Sequence, residues 1–159
     1  MDADSLRELA ESIKNPRLRR LLDDWLRWRG ERLMPSRRDF LPEEIRYLLG
    51  NVILHEVASR DPLRFRYRLI GSLIVARRGF DFTGRYLDEL PSTDVRDVVM
   101  AINERVTRER RPLLWRFEMN DLDHRMRHCE VLSLPLSADG VDVNIILAAQ
   151  VFNDEERTT

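Results

Sequence analysis

Residues 65–90, FRYRLIGSLIVARRGFDFTGRYLDEL, constrain the fold of this chain more than any other stretch. Phe65, Tyr67 and Leu69 alternate with Arg64, Arg66 and Arg68. Apolar and charged residues taking turns at a period of two specify a strand with one buried face. Gly71 breaks that strand, and Ser72 can accept a backbone N–H to start a short helical turn carrying Leu73, Ile74 and Val75. Gly79 suits a left-handed end to that turn. In the loop that follows, the side chains of Asp81 and Thr83 brace nearby backbone, and Gly84 supplies a tight bend. Arg68 is placed to pair with Asp81. A second apolar turn, 86–90, stops at Pro91. A strand feeding several short helical turns wraps a pocket rather than building a layer, which favours a sensing or docking module over an enzyme.

Upstream, Ser5 and Glu8 have capping-box spacing, and Leu6, Leu9, Ala10 and Ile13 recur at helical intervals. Asn15 and Pro16 suit an N-cap and first helical position for a second helix, ending near Gly30. Leu18, Leu22, Trp25 and Trp28 share its apolar face with Leu21. Two tryptophans on one face need a large partner surface, either the domain's own sheet or a second copy of the chain. Residues 31–39 read as a polar connector. A short helix from Pro42 to Gly50, a strand over 52–58 and a turn over 59–62 lead back to the Phe65 strand, so these two strands form a hairpin.

Downstream, Ser92 or Thr93 caps the longest later helix, which runs to about Arg110 and buries Val95, Val98, Val99, Ile102 and Val106. Arg105, Arg108, Arg110 and Arg111 crowd its C-terminus, where the helix dipole favours positive charge. Three strands follow. The first alternates Leu113, Trp115, Phe117 and Met119 with polar neighbours, and the second covers 127–136. Asp139-Gly140 is a hairpin signal. The last strand, 141–152, is apolar on both faces and needs two covers, the outer one supplied by the N-terminal helices. The charged end of the chain is expected to fray.

Composition limits what such a domain meets. A chain of 159 residues is long enough for one real core. Its formal net charge of -1 argues against a basic surface for nucleic acid or anionic membrane. Cys129 is the only cysteine, which excludes an intrachain disulfide and a Cys-rich zinc site and is compatible with a reducing compartment. No run approaches the ~20 apolar residues of a membrane span, and the acidic N-terminus does not resemble a secretory signal. The expected location is the cytoplasm.

The expected fold is therefore α+β: a five-stranded antiparallel sheet with short helices and one longer connecting helix on one face, plus an N-terminal helical extension. The extension takes residues 1–50, the core 51–153 and a frayed tail 154–159. This order resembles the PAS fold. Phe65-Arg66-Tyr67-Arg68-Leu69-Ile70-Gly71 and Asp81-Phe82-Thr83-Gly84-Arg85 are similar to the YRxxG and DxTG motifs of a bacterial PAS-like family. Ser133-Leu134-Pro135-Leu136-Ser137, with Gly140, resembles the same family's last turn. Trp28-Arg29-Gly30 and Pro35-Ser36-Arg37 resemble its N-terminal extension. The resemblance covers residues 25–152 and implies a sensory or protein-interaction domain, often dimeric, without catalysis of its own.

Candidate chemistry follows from where these side chains point. If Phe65, Tyr67 and Leu69 face Trp115 and Phe117 with Ile145 and Leu147 between them, they line a concavity under the helices. That space either holds a small apolar or aromatic ligand, with Tyr67 offering a hydroxyl, or is simply filled. No cofactor is identified. Flavin-adduct sensors of the PAS fold carry a reactive cysteine on a helical turn, whereas Cys129 falls in a strand. Haem versions use a histidine on the long helix, and residues 94–110 contain none. Noncovalent flavin stays open. Asp121, Asp123, His124 and His128 form a polar hairpin tip rather than a metal site. His55 is a strand-face histidine. Glu118 and Glu130 suit cross-strand ion pairs with Arg116 or Arg68.

Three readings remain. The first is a stand-alone PAS-like sensory domain, homodimeric, signalling to a partner protein. The second is a cone-shaped α+β enzyme of the steroid-isomerase type, with Glu118 or Glu130 as base. The third is a structural dimerisation module with a filled core.

Overall fold

The computed structural model describes residues 1–91 and 93–154. Helix α1 (Ala3–Ser12) is capped by Asp2, whose carboxylate accepts the Ser5 N–H at 2.8 Å. The cap thus lies three residues before the Ser5–Glu8 box read from the sequence. Helix α2 (Pro16–Arg29) starts where the Asn15-Pro16 pair puts it, with Asn15 Oδ1 accepting from the Arg17 and Leu18 N–H groups. Gly30 ends it at a positive φ. The connector folds into a 3-10 turn (Arg37–Asp39), and a longer 3-10 segment (Pro42–Asn51) follows.

Strands β1 (Val52–Arg60) and β2 (Leu63–Ile70) form the expected hairpin. Next come α3 (Ser72–Arg78), a 3-10 turn (Leu87–Glu89) and α4 (Asp94–Glu109), then β3 (Leu113–Asn120), β4 (Met126–Leu136) and β5 (Ile145–Phe152). Thr93 is the cap of α4, accepting from the Arg96 N–H at 3.0 Å; the alternative cap, Ser92, lies outside the described residues. The sheet is antiparallel throughout, in the order β2-β1-β5-β4-β3.

Strand β5 occupies the middle and is buried at every position. One face of the sheet carries Phe65, Tyr67, His55, Ile146, Ala148, Gln150, Val131 and Trp115, as the pairing register dictates, and lies under α3 and α4. The other carries Leu54, Ile145, Leu147, Ala149, Leu132 and Glu130, and is covered by the N-terminal segment.

The N-terminal cover is fastened by polar bonds as well as apolar contact. Leu18, Leu22, Trp25 and Trp28 are all buried within the single chain. Trp25 Nε1 donates to the Pro135 carbonyl at 3.0 Å, and the Glu130 carboxylate accepts from the Lys14 and Asn15 N–H groups and from Arg116. Burying one large aromatic side chain of this kind contributes about 3 kcal/mol. These four residues are thus used on the domain's own sheet, so their faces are not left for a second copy.

The tail begins tied down. Asn153 N–H donates to the His128 carbonyl, and Asp154 takes two bonds from Arg77 at 2.9 and 3.0 Å. The remainder of the stretch expected to fray, 155–159, lies outside the described residues. No helix among the described residues is long and apolar enough to cross a membrane.

Gly71 sits where β2 passes the end of the long 3-10 segment. Its N–H donates to the Val52 carbonyl at 2.7 Å, and a Cβ there would overlap the Gly50 carbonyl. Backbone cannot step aside as a side-chain tip can. Gly71→Ala is expected to destabilise the fold by about 1–3 kcal/mol, measured as a lower midpoint in urea unfolding with an unchanged slope.

Candidate functional site

A cleft of about 510 Å³ opens on the α3–α4 side of the sheet. Its floor is Tyr67 of β2 and Met119 of β3; one wall is Val95, Arg96 and Val99 of α4; the other is Arg78, Phe80 and Phe82. Leu87 and Leu90 close one end, while Asn120 and Met126 of the β3–β4 hairpin form the rim. Each lining element is placed by a local rule. Gly79, at φ 82, ends α3 in the left-handed region and turns the chain so that Phe80 and Phe82 stack, ring centroids 6.0 Å apart.

The DxTG loop secures that wall. Asp81 Oδ1 accepts from the Thr83 N–H at 3.0 Å and hydroxyl at 2.6 Å, so these bonds hold its carboxylate below the usual range. Gly84 takes φ 87 and donates its N–H to the Tyr67 carbonyl, while the Tyr67 N–H donates to the Arg85 carbonyl. Residues 84–86 therefore satisfy part of the open edge of β2. Arg68 is solvent-exposed and does not pair with Asp81, which is already engaged by Thr83.

Of the side chains expected to line one pocket, Tyr67 lines the cleft. Phe65 is buried deeper in the core on the same sheet face, and Trp115 and Phe117 stack on each other at 5.1 Å further along it. Leu69 and the pair Ile145 and Leu147 lie on the opposite face. The register explains both corrections. Leu54 pairs with Leu69 but His55 pairs with Tyr67, so Arg68 is an extra residue that flips Leu69 to the far side. In β5, apolar on both faces, it is Ile146 and Ala148 that point toward the helices. Arg78, Phe80, Phe82, Val99, Met119 and Met126 also line the cleft, none of them expected as a pocket residue, although Val99 and Met119 fall on rows read as apolar. The one sequence signal for them is the Arg-Arg-Gly-Phe-x-Phe run closing an apolar helical turn.

The charges in the cleft are unequal. Arg96 is held by the Leu90 carbonyl at 2.8 Å and by Asp97 at 3.1 Å. Glu118, on the rim, pairs with His128 at 3.0 Å. Among the described residues no carboxylate pairs with Arg78. It shares the cleft lining with Tyr67, and its charge acts on both Tyr67 and His55. Burial raises the Tyr67 hydroxyl pKa, against a lesser pull from Arg78. His55 is buried, its ring 4.9 Å from that of Tyr67, and its Nδ1 has no hydrogen-bond partner among the described residues. Burial, reinforced by the Arg78 charge, pushes its pKa down to about 3.

The carboxylates weighed as a catalytic base are both engaged elsewhere. Glu130 lies on the far face with Arg116 at 2.7 Å, and Glu118 is on the exposed edge. Glu130 makes the cross-strand pair with Arg116 that the sequence suggests, whereas the cross-strand partner of Glu118 is His128 rather than Arg116 or Arg68. Asp121 accepts from the Asp123 and Arg125 N–H groups and from Arg127 at 2.6 Å, so it braces the hairpin tip beside His124. Among the described residues no three His, Cys, Asp or Glu converge as metal ligands. The only thiol, Cys129, is buried in β4 near Gln150 Nε2 at 3.6 Å, so α3 offers none for an adduct.

A five-stranded sheet in this order, helices across one face and a cleft beneath them, defines a PAS-type module. The chain belongs to the PAS domain family, whose model matches residues 13–149. Among solved structures, it is similar to the LOV protein of Rhodobacter sphaeroides, at 12% identity over 71% of this chain and 66% of that one, with a TM-score of 0.52. It is also similar to a light-oxygen-voltage domain studied with a flavin analogue, at 15% identity over 72% of this chain and 85% of that one, with a TM-score of 0.50. At such identities these likenesses carry the fold alone. No curated protein matches the sequence.

His55 makes stability pH-dependent with a definite sign. Its folded pKa lies near 3 and its ordinary value is 6.5, so below pH 6.5 the unfolded chain binds the proton that the folded chain refuses. The stability is complete above pH 6.5 and is lost as pH falls toward 3, at about 1.4 kcal/mol per pH unit. Urea unfolding between pH 7 and pH 5 is expected to show that slope in the wild type, and His55→Leu is expected to lose about that much of it.

Proposed function

We propose that this PAS domain is a sensory module that takes a small molecule into the cleft beneath α4 and passes the bound state to another protein or to a second copy of itself. The observation that carries the reading is the cleft itself. It has about 510 Å³ of space between aromatic and aliphatic walls, with a few polar groups converging on it, the composition of a small-molecule site. The opposite face is covered by the N-terminal segment, and the space left there beside Lys14, Arg116 and Glu130 is smaller, about 290 Å³.

An exposed rim supports the relay. Phe80 is 64% exposed, Leu122 59% and Met126 54%, and all three stand at or beside the cleft mouth. Apolar side chains grouped in this way serve contacts, and they can respond to what the cleft holds. Dimerisation, in this reading, runs through surfaces other than the buried face of α2. Of the two carboxylates the isomerase-type reading would use as base, Glu130 lies across the sheet and Glu118 pairs with His128 at the cleft rim.

Thermal unfolding against a metabolite library tests the proposal. A true ligand at about 100 times its dissociation constant stabilises the fold by about 2.7 kcal/mol, which raises Tm by about 5–10 °C for a domain of this size. Val99→Trp fills the cleft and is expected to abolish that rise while the variant stays folded by circular dichroism. Light scattering of the free and bound protein reads the oligomeric state. A library that leaves Tm unmoved, with the same mass in every state, overturns the proposal.

A further inference from the structure

We infer that the cleft selects a small carboxylic acid with an aromatic or extended apolar body, and that Arg78 is the residue that binds its carboxylate. The inference rests on reading the cleft as a ligand site and adds the class of ligand. Arg77 and Arg78 are adjacent but differently invested. Arg77 makes two bonds to Asp154 and lies 4.0 Å from Asp121. Arg78 is half-buried in the cleft wall, and among the described residues no acid side chain compensates it. A guanidinium drawn partly out of water without a counter-charge is costly, and an incoming anion repays that cost. Its planar fork matches a carboxylate through two parallel hydrogen bonds.

The rest of the cleft sets the remainder of the ligand. The second guanidinium, Arg96, is already held by Leu90 and Asp97 and adds positive potential more than an open bonding site. Glu118, the only carboxylate of the lining among the described residues, is taken by His128 at the rim. His55, neutral in the fold, adds no charge of its own near the cleft. Phe80, Phe82 and Met119 offer flat and flexible apolar contact for a ring or chain, and the hydroxyl of Tyr67, which shares the cleft lining with Arg78, can donate to the same carboxylate.

The test compares phenylacetate, cinnamate and indole-3-acetate with their primary amides, by titration calorimetry and protein-observed NMR on the full chain. Each acid is expected to bind at least tenfold tighter than its amide, shifting resonances of Tyr67, Val99 and Met119. Arg78→Gln is expected to weaken the acids about ten- to a hundredfold, the range of a charge-assisted contact, and to leave the amides unchanged. Arg78→Lys keeps the charge without the fork and should restore part of the loss. Arg96→Gln, a second variant, should cost less than Arg78→Gln. Amides that enter the cleft as tightly as acids, in wild type and Arg78→Gln alike, overturn the carboxylate inference and leave the sensory reading standing. If neither series moves a cleft resonance, the inference falls. The sensory reading falls with it only if the library screen is also blank.

Discussion

Burial of β5 on both faces is the constraint on which the rest of the structure depends. Eight consecutive residues of this strand, Ile145–Phe152, are buried, so each face of the sheet must be covered. The two covers differ in kind. On one side α2 and its neighbours bring Leu18, Leu22, Trp25 and Trp28, together with hydrogen bonds to Glu130 and Pro135, and leave a smaller space of about 290 Å³ beside Lys14, Arg116 and Glu130. On the other, short helices, a two-phenylalanine loop and the first turns of α4 roof the sheet only in part. The cleft is what the second cover leaves unfilled.

The order of elements was legible because period-two and helical patterns survive in the sequence of each one. Facing was not. Leu69 looks like the third member of the Phe65–Tyr67 row, but one extra residue, Arg68, reverses it, and a bulge leaves no mark on apolar alternation. In β5 both rows are apolar, so Ile145 and Leu147 could not be told from Ile146 and Ala148 by pattern. The cleft residues were harder still. Arg78, Phe82, Val99 and Met119 come from four separate elements and meet only through tertiary packing. What did transfer from sequence was chemistry tied to local backbone: the Asn15-Pro16 cap, the brace of Thr83 on Asp81, and the ion pair of Arg116 with Glu130.

The structure also gives a physical account of the motifs outside the cleft. The Pro35 carbonyl accepts from the Ser137 N–H at 2.9 Å, Ser36 and Asp39 cap each other's backbone, and Arg37 lies over the Phe40 ring, which stacks on Trp28 at 4.2 Å. Ser137 in turn holds the loop after β4, accepting from Gly140 N–H and donating to Asp139. Asp139 accepts the Val141 and Asp142 N–H groups as well, and these bonds pull its pKa down to about 2. Trp28, Pro35-Ser36-Arg37 and the Ser133–Gly140 run are therefore one joint. They fasten the N-terminal cover to the end of β4, a structural task. YRxxG and DxTG meet instead at the edge of β2, where they position the wall of the cleft.

Two neighbouring arginines connect that wall to the end of the chain. Arg77 belongs to a four-membered ion-pair group with Asp154, Asp121 and Arg127, in which Arg127 also lies 3.0 Å from Asp154. The group joins α3, the hairpin tip and the residue two positions beyond β5, and the Leu122 N–H adds a bond to the Arg77 carbonyl at 3.1 Å. Arg78, one residue on, faces the cleft. In the proposed reading, a ligand that moved Arg78 would have to load the group that Arg77 anchors, because the two are adjacent on one short helix. A ligand shifts an equilibrium only by its differential interaction with two states, and this group is the place where two arrangements of α3 would differ in energy. The hairpin tip and the C-terminal end of the sheet are the parts of the molecule that such a difference reaches first, because they share the carboxylates that Arg77 holds.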